Sequence, residues 1–533
     1  MAAPFRLGGP VLLLLLALLA SSRAGAAPRA VPAGGTAVVA LAAELQGLDP
    51  GTATDRSTWR VLSCLFETLV RPGTEPGQVL PGLAVAWEVS EEGRAWTFHL
   101  RRDVYFHDGR PLTAAAVAMA LRRQFDPLLT PSPARRAQFG LFRSLLGGDP
   151  PILRQVTPVD GDSVRILLRE PVRDFLEILA HPPAAIVSPA MAASRAGEAL
   201  PVGTGPFRFV ERRPGQRVTL ESNLHYWGGR PPLDYLVFTV VPRASARERE
   251  LTRGNADLAV ALDLSAVDAL KASASDRLDL SAGGGLNSWR VVLNCSRQPW
   301  SDIRTRLALQ QALPRAELAR RFGQGRAVPA TGVLSPRSWA YDSSEPGYAY
   351  EPARAKRLLG RVRLPAAYTA ELLYPLESPV LAEPAALAAQ VAGRLAAAGL
   401  RVRPRGLPPA ELAGRLGRGT YDLALVLEEA GTVDPDVELY PAWSRDPGSP
   451  GGSNVARYSS GRLQDLLEMA RTAPDQAHRL SLYREVQQRL REAAPVVPLA
   501  WSLEVLARRR SLNGFTVDRL GLLDFSRAWL GHR

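Results

Sequence analysis

The chain has 533 residues and a formal net charge of +13, from 65 Lys and Arg against 52 Asp and Glu. This length exceeds what one hydrophobic core normally supports, so we expect two lobes. The basic residues are arginine except for Lys271 and Lys356. They are spread evenly instead of forming a basic stripe, which is typical of a codon bias and disfavours a nucleic-acid partner.

The N-terminus has the pattern of a secretory signal peptide. A leucine-rich and alanine-rich run at residues 11–20 follows Arg6 and is followed by the small residues 24–26. Ten apolar residues are too few to cross a hydrocarbon layer of about 30 Å. We expect cleavage near Ala26 and, because no cysteine lies at the junction, a periplasmic protein without a lipid anchor.

The chain has two cysteines, Cys64 and Cys295. Cys64 lies on an amphipathic pattern and Cys295 ends an apolar run. A disulfide would need their Cα atoms within about 7 Å, so we expect two buried thiols.

The first elements can be assigned from apolar periodicity. Residues 36–41 are predicted as a strand and residues 59–70 as a helix. Alternating apolar residues predict strands at 96–100 and 104–106, followed by a turn at Asp108-Gly109. Thr113 is the predicted cap of an alanine-rich helix over residues 114–121.

Later elements change from strands and hairpins to strands alternating with helices. Strands are predicted at 207–210, 218–220 and 235–241, and the glycine-rich segment 282–285 is a plausible crossover because glycine tolerates a hinge's dihedral changes. From Trp289 onward an α/β lobe is expected. Its predicted elements are helices around 387–395, 409–416, 463–469 and 477–491 and strands at 400–402 and 423–427.

Several motifs in a fixed order give the chain a family resemblance. The segment from residue 80 to residue 121, with its Trp-Thr-Phe-His-Leu strand and Asp-Gly turn, resembles the extracytoplasmic solute-binding proteins of peptide, nickel and opine ABC importers, family 5. The same family has similar motifs where this chain has Gly-Thr-Gly-Pro-Phe at 203–207, residues 223–229, Gly-Asn-Ala-Asp at 254–257 and Pro-Trp-Ser-Asp-Ile-Arg-Thr-Arg at 299–306.

The resemblance implies an α/β fold, that of a two-lobed periplasmic binding protein of cluster C type. Such a fold has mixed sheets, two hinge crossovers and an extra subdomain in the first lobe. The implied divisions are a signal peptide over 1–26, lobe I over 27–280 with an inserted subdomain at about 60–200, lobe II over 281–506, and a return to lobe I over 507–533. The second hinge is expected around residues 504–508.

The ligand positions depart from those of the relatives. The resemblance implies a Trp and an amine-binding Asp shortly before an Asp-Pro pair, but before Asp434-Pro435 this chain has Glu428 and Gly431 at those positions. Ser378 stands where a dipeptide-binding member has an arginine for the ligand carboxylate. Val426 falls near the histidine of nickel-binding members. We therefore expect neither ordinary zwitterionic dipeptide binding nor a metal site.

Seven residues are predicted to line a cleft between the lobes. Those from the first lobe are Thr54, Arg56 and Ser57, and those from the second are Trp289, Glu428, Glu429 and Gly431. For Trp289 a place in the core is an open alternative, because large aromatic residues are usually buried.

The charges at this cleft permit two interpretations. Strand alternation places one carboxylate of the Glu428–Glu429 pair inward, where it would replace the missing Asp and favour an amine-bearing ligand. Arg56 opposite would then receive a ligand carboxylate in a bidentate pair. In the alternative, the polar contacts to the ligand come mostly from the backbone.

Enzyme signatures are missing from the sequence. It contains no G-x-S-x-G or H-E-x-x-H pattern. His99 and His107 with Asp103 and Asp108 fit the polarity of a hairpin better than a metal site. We expect a monomeric binding protein with no catalytic residue, metal or cofactor, which delivers a peptide-like or other small polar solute to the permease subunits of an ABC importer. The alternatives are a binding protein that senses or chaperones its ligand without import, and an exported hydrolase.

Overall fold

The structure is a computed structural model that describes residues 33–531, apart from 76, 131, 133–138, 147–150, 195–199, 264–265, 275, 366, 431–433 and 445–453. The predicted signal peptide and Gly431 lie outside the described residues. Within the described range, no helix combines the length and the apolar character that crossing a membrane requires.

Eleven strands form one sheet that extends through the molecule. In sheet order they are β15 (Val402–Leu407), β14 (Ala370–Pro375), β16 (Leu423–Ala430), β12 (Leu278–Leu293), β17 (Val496–Arg509), β11 (Leu258–Ala259), β1 (Thr36–Leu41), β10 (Tyr235–Val240), β9 (Arg217–Ser222) and β8 (Phe207–Arg213), with β13 (Ala327–Pro329) paired to β17.

Strands β12 and β17 connect the two halves of this sheet. They have 16 and 14 residues and pair with each other in antiparallel register. At one end β17 pairs with β11 of the first half, and at the other β12 pairs with β16 of the second half. The register shifts between Ala282 and Leu286. The predicted glycine crossover therefore lies inside a continuous strand, at an irregularity of its pairing.

A second, four-stranded antiparallel sheet lies in the first half of the chain. Its order is β4 (Ala84–Ser90), β5 (Ala95–Leu100), β7 (Ser163–Leu168) and β6 (Leu153–Pro158). Three small hairpins are β2 (Val70–Pro72) with β3 (Val79–Pro81), β18 (Leu512–Asn513) with β21 (Trp529–Leu530), and β19 (Thr516–Val517) with β20 (Leu523–Asp524).

The predicted strand at residues 104–106 is wrong. Only an isolated bridge between Tyr105 and Pro111 forms there. The backbone N–H of Phe106 instead donates to the carbonyl of Arg110, and that of Gly109 to the carbonyl of Phe106. The chain turns back on itself within five residues, which leaves no length for a strand.

Fifteen α-helices lie in the described part of the chain. They are α1 (Arg56–Leu65), α2 (Ala114–Arg122), α3 (Gly140–Leu146), α4 (Phe175–Ala180), α5 (Pro189–Ala193), α6 (Ala244–Arg253), α7 (Val267–Ala274), α8 (Ile303–Ala312), α9 (Arg315–Gly323), α10 (Pro352–Leu359), α11 (Pro384–Ala397), α12 (Pro409–Arg418), α13 (Pro435–Trp443), α14 (Gly461–Thr472) and α15 (Gln476–Ala493).

Helix ends follow local capping chemistry. Thr113 caps α2 as predicted, since its side chain accepts a hydrogen bond from the backbone N–H of Ala116 at 3.2 Å. The predicted helix at 59–70 begins earlier, at Arg56, because Asp55 caps it, and ends at Leu65. Val70 already belongs to a strand.

The hydrophobic residues form separate cores in the two lobes. One core draws most of its buried residues from 37–260, with Val437 and Leu506, and takes in residues 512–528, so the C-terminal segment packs in the same core as residues 37–260. Phe525 there packs edge-on against Phe238 of β10, with ring centroids 6.3 Å apart. Two further cores draw their buried residues from 289–500.

Both cysteines are free thiols, as predicted. Cys64 is buried, whereas Cys295 is half-buried. Burial raises the pKa of Cys295 to about 11, which keeps it protonated at neutral pH.

Gly203 of the Gly-Thr-Gly-Pro motif packs closely against the end of α1. A Cβ on Gly203 would lie 2.1 Å from the carbonyl oxygen of Leu65, so only glycine allows this close approach.

His107 forms two hydrogen bonds with the backbone of the same motif. The Nδ1 atom of His107 accepts from the N–H of Gly203 at 3.3 Å, and its Nε2–H donates to the carbonyl of Gly205 at 3.0 Å. This pairing needs a neutral imidazole. Burial lowers the pKa of His107 to about 4, although the bond to Gly205 opposes the shift.

We expect His107 to make the first lobe sensitive to acid. Because the pKa of His107 is lower in the folded protein than its ordinary value of 6.5, its contribution to stability is lost as the pH falls from about 6.5 towards 4. Thermal unfolding of the wild type and of His107→Gln at about pH 7 and pH 4.5 checks this. The variant should lose less of its melting temperature than the wild type over this interval; equal losses would contradict the assignment.

Candidate functional site

A cavity of about 760 Å³ lies between the two lobes. Both lobes contribute polar and apolar groups to it. The first-lobe wall includes Thr54, Asp55, Arg56, Trp59, Ser144 and His181. The second-lobe wall includes Ser288, Arg290, Val292, Glu428, Glu429 and Glu438.

The start of α1 forms one side of the cavity. Asp55 accepts hydrogen bonds from the N–H of Thr58 at 2.8 Å and from its hydroxyl at 2.6 Å, so its carboxylate is occupied as a helix cap. Burial raises the pKa of Asp55, and the bonds from Thr58 oppose this shift. The indole N–H of Trp59 donates to the carbonyl of Ala53 at 3.1 Å, which fixes the ring beside the cavity.

Arg56 is held in an ion-pair network beneath the cavity. Its side chain is 1 % exposed, and its Nη1 atom lies 3.0 Å from Oε2 of Glu504 and 3.9 Å from Oε1 of Glu429. Asn287 lies 3.5 Å from the same nitrogen. The backbone N–H of Arg56 also donates to Glu429 at 3.2 Å. A ligand carboxylate at Arg56, as predicted from the sequence, would therefore compete with the protein carboxylates that already contact this guanidinium.

Glu504 of β17 receives two arginines from α1. The Nη2 atom of Arg60 lies 2.8 Å from the same Oε2 oxygen that Arg56 contacts. Burial alone would raise the pKa of Glu504, but the charges of Arg60 and Arg56 outweigh burial and hold this pKa below its usual value. Arg60 also donates to the carbonyl of Gly521 at 2.9 Å, so the C-terminal segment joins the network.

Glu428 and Glu429 lie within strand β16, which continues to Ala430, beyond the predicted end of the strand at residue 427. They pair with Ser288 and Asn287 of β12, so their side chains point to opposite faces. The Glu429 side chain is 11 % exposed and faces Arg56, whereas that of Glu428 is 48 % exposed and forms an ion pair with Arg290. Both border the cavity, and both already have an arginine partner.

Two further predicted residues do not line the cavity. Trp289 is fully buried in the core of the second lobe, where its indole N–H donates to the hydroxyl of Ser502 at 3.1 Å. Its neighbours Ser288 and Arg290 face the cavity, so alternation along β12 turns Trp289 away from it. Ser57 is buried within α1 and does not border the cavity. Gly431 lies outside the described residues.

His181 borders the cavity and was not predicted from the sequence. It follows α4 and is 3 % exposed, and neither ring nitrogen has a hydrogen-bond partner among the described residues. Burial lowers the pKa of His181 to about 3, and the charge of Arg519 adds to this shift. The imidazole is therefore neutral and offers one donor and one acceptor at the cavity.

Glu438 was also missed. It lies on α13, where its neighbours Val437 and Leu439 are buried, and its Oε2 atom is buried without a hydrogen-bond partner in the described structure. Burial raises the pKa of Glu438 to about 7, and the positive charge of Arg290 opposes this shift. The available signal in the sequence was the run of three acidic residues, Asp434, Asp436 and Glu438, at the start of this helix.

A second set of interlobe contacts lies outside the crossover strands; we call it the rim latch and define it by Asp174, Arg479, Leu145 and Arg471. Asp174 and Arg479 form a bidentate ion pair, with one N–O distance of 2.8 Å. Arg471 donates to the carbonyl of Leu145 at 2.6 Å. First-lobe and second-lobe residues therefore touch without a ligand between them.

Glu504→Gln tests the network beneath the cavity. The substitution leaves Arg56 and Arg60 buried without their shared carboxylate, and breaking a buried pair from one side costs about 3–5 kcal/mol. The free energy of unfolding, measured by urea denaturation, should fall by that amount. Glu485→Gln is the matched control: its ion pair with Arg462 is half-exposed, so its loss should stay below about 1 kcal/mol. Equal losses in the two variants would refute a special role for Glu504.

Comparison with known proteins places the chain in one family. The model of the bacterial extracellular solute-binding proteins, family 5 Middle, matches residues 78–450. The dipeptide-binding protein of Escherichia coli K12 is 28 % identical over 496 residues, which cover 90 % of this chain and 92 % of that protein. Di/tripeptide-binding protein 4 of Pseudomonas aeruginosa is 31 % identical over 472 residues, covering 86 % and 87 % respectively.

A solved structure shows the same architecture. The ABC transporter-associated periplasmic binding protein DppA of Helicobacter pylori, in complex with the peptide STSA, superposes with a TM-score of 0.85. It is 26 % identical in sequence, and the match covers 94 % of this chain and 98 % of that one. The predicted two-lobed α/β fold is thereby confirmed, and the chain belongs to the bacterial extracellular solute-binding proteins of family 5.

Proposed function

We propose that this protein is a periplasmic substrate-binding protein that delivers a peptide-like or other small polar solute to the permease subunits of an ABC importer. The observation that carries the proposal is the cavity of about 760 Å³ with walls from both lobes. Ligand sites in proteins commonly occupy clefts of this size between domains. The relatives that bind dipeptides and tripeptides support a peptide-like solute.

The proposed division of the chain follows the packing. Lobe I comprises residues 27–280 with an inserted subdomain at about 60–200, lobe II comprises 281–506, and residues 507–533 return to lobe I. The separate cores and the four-stranded second sheet support this division. Hinges at 282–285 and 504–508 lie on the two strands that connect the lobes.

The proposed ligand contacts come from both walls. Of the residues predicted from the sequence, Thr54, Arg56 and the paired Glu428 and Glu429 border the cavity. We add His181, whose two ring nitrogens have no hydrogen-bond partner among the described residues, and Glu438, whose Oε2 atom has none there. Buried polar atoms without partners are costly, so a ligand that satisfies them gains affinity.

Binding without catalysis is the favoured activity. The family consists of solute-binding proteins, which argues against the exported hydrolase and supports import over a sensing or chaperoning role. We propose a monomer that has no nucleic-acid partner, since the arginine excess forms no stripe along the sequence.

Export is proposed to occur with cleavage near Ala26 and without a lipid. The short leucine-rich core and the absence of a cysteine at the junction support this. Intact-mass measurement of periplasmic protein from an expressing bacterium should give a chain that starts close to residue 27. A retained leader or an added acyl mass would contradict the proposal.

A solute that co-purifies with the protein should be identifiable by native mass spectrometry, and its return to solute-free protein should close the lobes. Contacts to both walls exist together only in the closed state, so the solute shifts the population towards that state. Small-angle scattering should show a smaller radius of gyration with solute than without it. An unchanged profile at saturation would refute the hinge mechanism.

Asp174→Asn should weaken solute binding by about fivefold or more, because it removes a contact of the rim latch without touching the solute. Glu91→Gln, which breaks an exposed ion pair with Arg165 in the same subdomain, is the control and should bind as the wild type does. Calorimetry with the co-purified solute makes the comparison. Equal affinities in the two variants would show that the latch does not contribute to closure.

A further inference from the structure

The charged groups around the cavity do not balance. Arg290 forms an ion pair with Glu428, and Glu438 places a second carboxylate in the electrostatic field of the same guanidinium. The single positive charge of Arg290 therefore interacts with the carboxylates of both Glu428 and Glu438. When Glu438 is ionised, the surplus at this end of the cavity is one negative charge.

The other arginine of the described lining is already neutralised. Arg56 contacts Glu504 and Glu429, and Arg60 shares Glu504, so two cations meet two carboxylates there. Within the described wall of the cavity, both arginines are thus committed to protein carboxylates. A carboxylate on the solute would enter a site where each of these cations is occupied and the local surplus is negative, which disfavours it.

His181 sets a second requirement. A neutral imidazole with both nitrogens buried and unpartnered gains from a solute that carries hydrogen-bonding groups without charge. Amide groups meet this requirement, because each provides an N–H donor and a carbonyl acceptor.

The cavity also has an apolar end. Ser288, Arg290 and Val292 alternate along one face of β12, and at about 3.3 Å per residue they span roughly 13 Å. Val292 pairs with Val496, and Trp443 belongs to the same wall. Along this face of β12 the side chains change from the hydroxyl of Ser288 to the charge of Arg290 and the hydrocarbon of Val292. A solute with an apolar group at the Val292 end would match this order.

We propose, on the basis of the function proposed above, that the solute is a cationic, amide-containing molecule with an apolar side chain and no free carboxylate, and that its amine binds at Glu438. The unpartnered Oε2 atom of Glu438 gives the ammonium group an acceptor. The ammonium charge offsets the surplus carboxylate beside Arg290. Burial already raises the pKa of Glu438, and a bound cation would favour its ionised form.

Three probes separate these features in calorimetry on the full mature protein after removal of any co-purified solute. They are alanyl-phenylalanine amide, which carries an amine and no carboxylate, alanyl-phenylalanine as the free acid, and the N-acetylated amide, which carries neither charge. The amine-bearing amide should bind at least tenfold more tightly than each of the others. Glu438→Gln should lower its affinity at least tenfold and change that of the N-acetylated amide less than twofold.

Glu411→Gln is the matched control, since Glu411 is exposed on α12, and it should bind all three probes as the wild type does. The inference is overturned if the free acid binds as tightly as the amide, or if Glu438→Gln weakens the amide and the N-acetylated amide equally. Binding and lobe closure with the free acid would still support the proposed function. Absence of binding by all three probes would overturn both this inference and the peptide-like solute.

Discussion

A single buried carboxylate, that of Glu504, connects the parts of this protein that must work together. It lies on a strand shared by both lobes and pairs with two arginines of the first helix. Through Arg60 it reaches the C-terminal segment, and through Arg56 it reaches Glu429 of the second lobe. Charges buried in this way are tolerated only when each is paired, so the position of every member depends on the others.

This network also explains why the guanidinium of Arg56 is not exposed in the cavity. The first helix presents Arg56 towards the interlobe space, as the sequence had suggested, but Glu504 and Glu429 draw its guanidinium into the protein. The positive charge of Arg56 thus joins α1 to strands β16 and β17. Arg56 therefore stabilises the fold at a position where the sequence predicts a contact with the solute.

Local signals predicted the fold better than the site. Strand β1 and the cap of α2 by Thr113 follow from periodicity and from the side chain next to the helix start. The prediction of a strand at residues 104–106 was wrong because apolar alternation over three residues does not distinguish a strand from a tight turn.

The site depends on contacts between distant parts of the chain. Arg56 and Glu504 are 448 residues apart, and no local pattern announces their pairing. Strand alternation correctly predicts that the side chains of Glu428 and Glu429 point to opposite faces, but it does not predict that each forms an ion pair with an arginine. Trp289 followed the general tendency of large aromatic residues to be buried, and His181 has no periodic neighbours that would mark its position.

The rim latch has a kinetic consequence for transport. Because Asp174 and Arg479 join the lobes without touching the cavity, a solute that leaves by separation of the lobes does so after this ion pair and the bond from Arg471 to Leu145 have broken. Residence time then includes a step that is the same for every solute, whatever its own contacts. Docking on a permease that separates the lobes would remove this common delay, so unloading would be fast at the membrane and slow in free solution.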